Sequence, residues 1–96
     1  MINISSLDFD LTDSIREEIM FLEPIFQKHL DDSSRVQVTL SKQAPDVFKV
    51  HMQTHYLGEE IVSDHESHNF HKALELCKVH FVKLADKRRD KVQAKG

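Results

Sequence analysis

Hydrophobic and polar residues alternate in four stretches of the chain, and this alternation predicts four β-strands. The predicted strands are Met1–Ser5, Arg35–Ser41, Phe48–Tyr56 and Glu60–Asp64. Turn-forming segments around Pro45 and Gly58 connect the last three strands. A sheet built from strands of this kind has one buried face and one face in contact with water.

The segment between the first and second strands carries hydrophobic residues at the three- and four-residue spacing of an amphipathic helix. Thr12 is the predicted N-cap, and residues 31–34 are predicted to end the helix. Its inward stripe consists of Ile15, Ile19, Leu22, Phe26 and Leu30. Pro24 lacks an amide hydrogen and its ring clashes with the preceding turn, so we expect a kink or local unwinding between Met20 and Glu23.

A second helix is predicted from about Ser67 to Gln93, with an inward stripe made by Phe70, Leu74, Cys77, Phe81 and Leu84. A chain of 96 residues, of which 40% are hydrophobic, is long enough for one core and too short for two. We therefore predict a single domain, residues 1–96, of the α+β class. Its order is β-α-β-β-β-α, with a four-stranded, mostly antiparallel sheet and two helices packed on one face.

The net charge of −3 conceals an uneven distribution of charge along the chain. Residues 1–66 contain five basic and thirteen acidic residues, a net of −8, whereas residues 67–96 contain eight basic and three acidic residues, a net of +5. An acidic protein is a poor binder of nucleic acid on average, but a basic segment can bind it locally. The predicted second helix carries this basic segment.

Lysines recur every four residues along the second helix and therefore form one ridge. The ridge consists of Lys83, Lys87 and Lys91, with His80 one turn before it and Arg88 and Arg89 beside it. Such a row neutralises RNA phosphates and releases counterions, which requires no particular base sequence. Cations near the end of a helix also complement the helix dipole and keep a protein soluble, so the residues by themselves leave RNA binding and this structural role open.

Four segments of the chain, placed in the order strand, helix, three strands, helix, resemble one protein family. They are the start of the first helix (Leu11–Glu17), the turn into the last strand (Gly58–Ile61), the opening of the second helix (Glu66–Glu75) and its basic end (Lys87–Val92). Together they resemble the ribosome hibernation-promoting factor and ribosome-associated inhibitor family, also called the sigma-54 modulation protein family. The resemblance covers nearly the whole chain and is to the short form, which lacks the dimerisation domain of longer members.

This resemblance implies a fold similar to that of double-stranded-RNA-binding domains and a role in translation without catalysis. Members bind the decoding region of the small ribosomal subunit, where ribosomal RNA and neighbouring ribosomal proteins are the partners, and inhibit translation on idle ribosomes. A cytoplasmic protein of the stress response is implied, with at most weak self-association. The residues expected to contact RNA are Lys83, Lys87, Arg88, Arg89 and Lys91, with His80, Arg16 and Lys28 as weaker candidates.

The first helix departs from the family pattern, because residues 20–25 lack the lysines that members usually expose there. Typical members have Gly, Asp and Tyr where this chain has Ser67, Asn69 and His71. If Phe21 and Ile25 are exposed, they form a small apolar patch for a protein partner; the alternative is that the distortion at Pro24 turns both inward. Two other functions therefore stay open: a protein-interaction module that acts through this patch, and a general binder of structured RNA.

Seven histidines raise the question of a metal site. His51 and His55 lie on one strand face but about 13 Å apart, too far to share an ion. His65, His68 and His71 could approach one another at the start of the second helix, but structural zinc sites usually need four cysteine or histidine ligands. We predict neither a metal nor a cofactor, and we expect protonation of histidines to strengthen RNA binding between about pH 7.5 and about pH 6.

The sequence contains no enzyme motif: two glycines cannot form a phosphate-binding loop, and the one nucleophile–base pair at helical spacing is Cys77 with His80. Because Cys77 lies on the inward stripe, we expect a packed thiol and not a catalytic one. A single cysteine forms no internal disulfide, which fits a reducing compartment. No hydrophobic run approaches the roughly 20 residues that cross a bilayer, and the N-terminus lacks the layout of a secretory signal. We therefore expect neither a membrane nor a small-molecule substrate as partner.

Overall fold

Four β-strands and three α-helices form the part of the chain that the computed structural model describes, residues 2–7, 9–30 and 34–93. In chain order they are β1 (Ile2–Leu7), α1 (Asp13–Met20), α2 (Glu23–His29), β2 (Val36–Ala44), β3 (Val47–Tyr56), β4 (Glu59–Ser67) and α3 (Phe70–Gln93). The predicted α+β class and order of elements are confirmed, except that the first helix is divided in two. Met1 and residues 31–33, where the sequence predicts the start of the first strand and the end of the first helix, lie outside the described residues.

The strands form one sheet in the order β1-β2-β3-β4. β1 pairs with β2 in parallel, with Ile2 opposite Val36, and the other neighbouring strands pair antiparallel. The predicted alternation is confirmed, since one face is buried and consists of Ile2, Val36, Val38, Leu40, Val50, Met52, Thr54, Tyr56, Ile61 and Ser63. Polar side chains such as Gln37, His51 and Gln53 occupy the opposite face of the sheet.

Pro24 divides the predicted first helix into α1 and α2. The side chain of Thr12 caps α1 as predicted, since its Oγ1 accepts a hydrogen bond of 3.2 Å from the amide of Ile15. The chain then turns at Phe21 and Leu22, and Pro24 stands in the first turn of α2, where helices do not use the missing amide. The prediction of a kink or local unwinding at this point is confirmed, in the form of a complete break.

The helices cover the buried face of the sheet and enclose one hydrophobic core. Every residue of the two predicted inward stripes is buried or half-buried, so both stripes are confirmed. Ala73 and Ala85 are buried as well, and their small side chains let α3 approach the sheet closely. The rings of Phe26 and Phe81 meet edge to face at 5.4 Å and join α2 to α3.

α3 is the longest element, with 24 residues and a length of about 36 Å. It packs on β3 and β4 and begins beside the rings of Phe9, Phe48 and Phe70, whose centroids lie 5.4 to 6.4 Å apart. The side chain of Asn69 accepts a hydrogen bond of 3.2 Å from the amide of Lys72 in its first turn. None of the helices in the described part of the chain is long and apolar enough to cross a membrane.

Candidate nucleic-acid interface

The lysine ridge of α3 is exposed to solvent. Lys83, Lys87 and Lys91 make no ion pair or hydrogen bond with any other residue that the structure describes. Four residues turn a helix by slightly more than one full turn, so each lysine is rotated a little from the one before it. All three lysines line the space between α3 and β4. Three unpaired ammonium groups along one helix are able to neutralise a row of phosphates.

Arg88 makes structural contacts that the sequence does not reveal. Its Nε and Nη2 atoms donate hydrogen bonds of 3.2 and 2.6 Å to the carbonyl oxygen of Leu57, and its Nη1 atom lies 3.0 Å from Glu59 Oε2. Leu57 and Gly58 form the β3–β4 turn with φ angles of 52° and 79°, which glycine adopts easily and leucine does not. Arg88 therefore ties α3 to a strained turn, and these contacts leave fewer of its five N–H donors for a phosphate.

Arg89 is partly engaged by carboxylates of its own helix. Its Nη1 atom lies 3.4 Å from Asp86 Oδ1, and its Nε atom lies 3.8 Å from Asp90 Oδ1. His29 of α2 approaches the same Asp86 oxygen at 2.7 Å. One carboxylate thus contacts two basic side chains and links α2 to α3, which leaves Arg89 less available to RNA than the three ridge lysines.

The three weaker candidates lie on three different helices. His80 precedes the ridge on α3, and its Nδ1 atom lies 3.0 Å from the hydroxyl of Ser63. Arg16 is exposed on α1 and Lys28 on α2, so the structure does not place either of them on the ridge. That these residues, and those of the ridge, contact RNA stays a prediction.

The histidines near the start of α3 have separate partners. His68 Nδ1 lies 3.0 Å from a backbone carbonyl oxygen in the β2–β3 turn, and His71 Nδ1 lies 2.7 Å from Glu18 Oε1 on α1. The ring of His65 meets that of His80 edge to face at 5.6 Å. The described residues contain no group of three His, Cys, Asp or Glu side chains placed to hold a metal ion. The expected gain of RNA affinity in mild acid stays a prediction.

Cys77 is a packed thiol, as its place on the inward stripe predicts. Its side chain is buried, and Sγ donates a hydrogen bond of 3.3 Å to the carbonyl oxygen of Ser63. Burial raises the pKa of the Cys77 thiol to about 11, so the reactive thiolate is scarce at neutral pH. The Ser63 hydroxyl and His80 have the spacing of a nucleophile and a base, but Ser63 is only 2% exposed, so a substrate does not reach it.

The apolar patch predicted on the first helix is only half formed. Phe21 is 77% exposed and Met20 is 41% exposed, whereas Ile25 is half-buried against the core. The interpretation that Pro24 turns both Phe21 and Ile25 inward is therefore wrong for Phe21. The reason is that Phe21 lies in the turn between α1 and α2, where its side chain projects into solvent.

Three exposed hydrophobic residues lie near the ridge and were not part of the predicted site. They are Val62 on β4 and Leu76 and Val79 on α3, and they line the space between these two elements. The sequence contains one signal for them, because Leu76 and Val79 are hydrophobic residues outside the inward stripe of α3.

The chain and its fold are similar to those of known proteins. A family model described as Sigma 54 modulation protein / S30EA ribosomal protein matches residues 2–93, and no curated protein matches the chain. The N-terminal domain of Protein Y from Thermus thermophilus has a similar structure, with a TM-score of 0.77 and 15% identity over 88% of this chain and 92% of that one. A ribosomal subunit interface protein from Coxiella burnetii has a TM-score of 0.73 and 15% identity over 93% of this chain and 97% of that one. At 15% sequence identity, the similarity to these two structures shows the fold alone.

Proposed function

The chain belongs to the sigma 54 modulation protein / S30EA ribosomal protein family, and from that premise we propose that it is a ribosome hibernation factor. It binds the decoding region of the small ribosomal subunit, blocks the sites of messenger and transfer RNA, and inhibits translation on idle ribosomes. Family membership supports this proposal. So does the fold, which the chain shares with a protein named for the ribosomal subunit interface.

The single observation that carries the proposal is the unpaired lysine ridge of α3. Ribosomal RNA presents a dense array of phosphates, and each lysine that neutralises a phosphate releases a counterion. Structured RNA is recognised largely by its shape and backbone, so a rigid helix with one charged side is sufficient. The ridge lysines Lys83, Lys87 and Lys91 form the centre of the proposed contact, with Arg88 and Arg89 beside them and His80, Arg16 and Lys28 at its margin.

In the proposed function the protein occupies the decoding region of the small subunit and catalyses no reaction. Residues 1–96 act as one ribosome-binding domain in the cytoplasm, with ribosomal RNA and neighbouring ribosomal proteins as partners. Residues 1–66 carry a net charge of −8 and residues 67–96 a net charge of +5, so RNA phosphates repel the first part and attract the second. This asymmetry orients the basic end of α3 toward the RNA.

Co-sedimentation with isolated ribosomal subunits tests the proposal. We expect the wild-type protein to travel with the small subunit at low and moderate salt. The variant Lys83→Glu/Lys87→Glu should stay at the top of the gradient. The matched control Lys42→Glu/Lys49→Glu makes the same change in net charge away from the ridge, and it should still travel with the small subunit. If wild-type protein also stays at the top, the chain does not bind ribosomes and the proposal is wrong.

A second candidate function is favoured by the exposure of Phe21. A diverged family member without ribosome affinity would act as a protein-interaction module through the patch formed by Phe21 and Met20. In that case Phe21→Ala abolishes partner binding, while the ridge variant does not. A general binder of structured RNA is a third outcome, and it would bind an unrelated RNA duplex as tightly as it binds the small subunit.

A further inference from the structure

A groove runs between α3 and the outer edge of β4, which is the last strand of the sheet. One part, with a volume of about 330 Å³, is lined by the consecutive residues Glu59–Val62 together with Lys87 and Lys91 of α3. A second part, of about 370 Å³, lies between Asp64 and Lys83. The side chains of consecutive strand residues point to opposite faces of the sheet. A groove lined by all of these residues therefore runs along the edge of the strand.

β4 has no strand on its outer side within the described residues, so its outer backbone groups lack a ladder partner. Its hairpin with β3 has a two-residue turn that closes on the pair Tyr56 and Glu59. The two residues that close such a hairpin are hydrogen-bonded to each other. Along the antiparallel ladder, hydrogen-bonded and non-hydrogen-bonded residue pairs then alternate. The even-numbered residues from Glu60 to Glu66 therefore direct their amide and carbonyl groups away from β3. A row of outward amide and carbonyl groups of this kind can pair with the backbone of an added strand.

The wall that α3 contributes to the groove is both apolar and basic. Leu76 and Val79 expose 42% and 39% of their surfaces next to Lys83, and Lys87 and Lys91 follow toward the other end. Among the described residues, these lysines have no carboxylate partner. Alternate residues of an added strand would face α3, so the matching ligand has apolar and acidic side chains at those alternate positions.

The carboxylates of β4 argue against two other occupants of the groove. β4 carries Glu59, Glu60, Asp64 and Glu66 within nine residues. RNA phosphates laid along this edge would meet the negative charge of these side chains, and a second copy of β4 would place carboxylates opposite one another. A protein segment avoids both penalties, because its backbone is neutral and its side chains on the open face of the sheet need not be acidic.

We propose that the groove binds an extended protein segment with acidic side chains, which joins β4 as a fifth strand. Its backbone pairs with the outward amide and carbonyl groups of β4. Its apolar side chains contact Leu76 and Val79, and its carboxylates pair with the lysines of the ridge. This inference goes beyond the hibernation function, because the edge strand and the groove form the site whether or not the chain binds a ribosome.

The test uses a nine-residue peptide, equal in length to β4, in which valine and glutamate alternate with threonine. We expect amide hydrogen exchange at Val62 and Asp64 to slow by at least about tenfold at saturating peptide, while exchange in the opposite edge strand, β1, is unchanged. A control peptide with lysine in place of glutamate should bind at least about tenfold more weakly. If exchange at Val62 and Asp64 stays unchanged at millimolar peptide, the proposal is overturned.

The variant Val62→Pro separates the strand edge from the lysine ridge. It removes one outward amide without changing the charge, and edge strands accept proline at such positions. We expect it to lose peptide binding and to keep its co-sedimentation with the small subunit, whereas Lys83→Glu/Lys87→Glu weakens both. A thermal melt checks that Val62→Pro is folded, and if it is not, the exchange measurement on the wild-type protein decides.

The remaining outcomes distinguish this proposal from the hibernation function. If an RNA duplex protects Val62 and Asp64 from exchange and the peptide does not, the groove belongs to the RNA interface and the added strand is ruled out. If the peptide protects them but the wild-type protein does not travel with ribosomes, the groove proposal stands and the hibernation proposal fails.

Discussion

Lys87 and Arg88 are adjacent in the sequence, but their surroundings in the structure differ. Lys87 is exposed and unpaired within the described residues, whereas Arg88 holds the carbonyl oxygen of Leu57 and the carboxylate of Glu59. A guanidinium donates two hydrogen bonds in a fixed geometry, which suits the carbonyl of a strained turn. Helical spacing identifies both residues as surface cations. It cannot show that Leu57, 31 residues earlier, presents its carbonyl to only one of them.

Replacement of Arg88 by alanine should lower the free energy of unfolding by about 1–2 kcal/mol, because the turn loses two hydrogen bonds and a partly exposed ion pair. Replacement of Lys87 by alanine should change it by less than about 0.5 kcal/mol. Urea unfolding of both variants measures the difference. Equal stabilities would show that Arg88 does not support the turn.

The buried thiol of Cys77 should make stability depend on pH in the alkaline range. The pKa of the thiol is about 11 in the folded protein, against an ordinary value of 9.0, so the folded state retains the proton that the unfolded chain loses. Stability is therefore fully present below pH 9.0 and declines as the pH rises from there toward 11. Between pH 8 and pH 10 we expect a loss of about 1 kcal/mol that is absent from Cys77→Ala. Parallel pH dependences of urea unfolding in the two proteins would contradict this expectation.

The break between α1 and α2 places two phenylalanines, five positions apart, in opposite environments. Phe26 is buried against Phe81, whereas Phe21 is exposed in the turn. We expect Phe26→Ala to lower the free energy of unfolding by about 3–5 kcal/mol and Phe21→Ala to lower it by less than about 0.5 kcal/mol, as measured in urea. Under the proposed function Phe21→Ala also travels with the small subunit. Its loss from that fraction would place Phe21 in the contact with the ribosome.

Local sequence was sufficient for the elements but not for all their ends. Alternation identified each strand, and Pro24 identified the break in the first helix, because both are effects of neighbouring residues. β4 was predicted to end at Asp64, yet it continues to Ser67, since His65 pairs with Val50 and the two residues after it pair with β3 as well. A polar segment becomes strand when a partner lies beside it, and its own sequence does not show this.

The same limit applies to the candidate site. The four-residue spacing of the ridge lysines follows from the helix period, so the ridge could be predicted from the sequence. The groove beside it depends on how α3 packs over β4, so that Lys83 and Asp64 line one part of the groove and Lys87 and Glu60 line the other. Contacts between residues that are far apart in the sequence follow from tertiary packing, and a single sequence does not show them.

The charge of the whole molecule is divided between an acidic first part and a basic second part. A basic segment on an acidic protein attracts a polyanion locally, and dissolved salt weakens this attraction. The proposed RNA contact is therefore an electrostatic one whose strength should follow ionic strength closely.

Each ridge lysine that neutralises a phosphate contributes about 0.7–0.9 to the slope of log affinity against log salt. We expect the slope for small-subunit binding to fall by about 2–3 when Lys83, Lys87 and Lys91 are all replaced by glutamine. The control variant Lys42→Gln/Lys49→Gln should keep the wild-type slope. Binding measured between low and moderate salt gives the slopes, and an unchanged slope in the ridge variant would place the RNA contact elsewhere.

β1 pairs in parallel with β2, and α1 and α2 lie between these strands in the chain, so Ile2 meets a partner 34 positions later, Val36. The hairpins that join β2, β3 and β4 need only short turns and form quickly once their strands are present. The parallel pair of β1 and β2 requires the whole connection through α1 and α2. At a synthesis rate of about 5–20 residues per second, the first strand is made roughly 2–7 s before its partner. In the nascent chain, the first strand therefore remains without a sheet partner for longer than any strand that follows it.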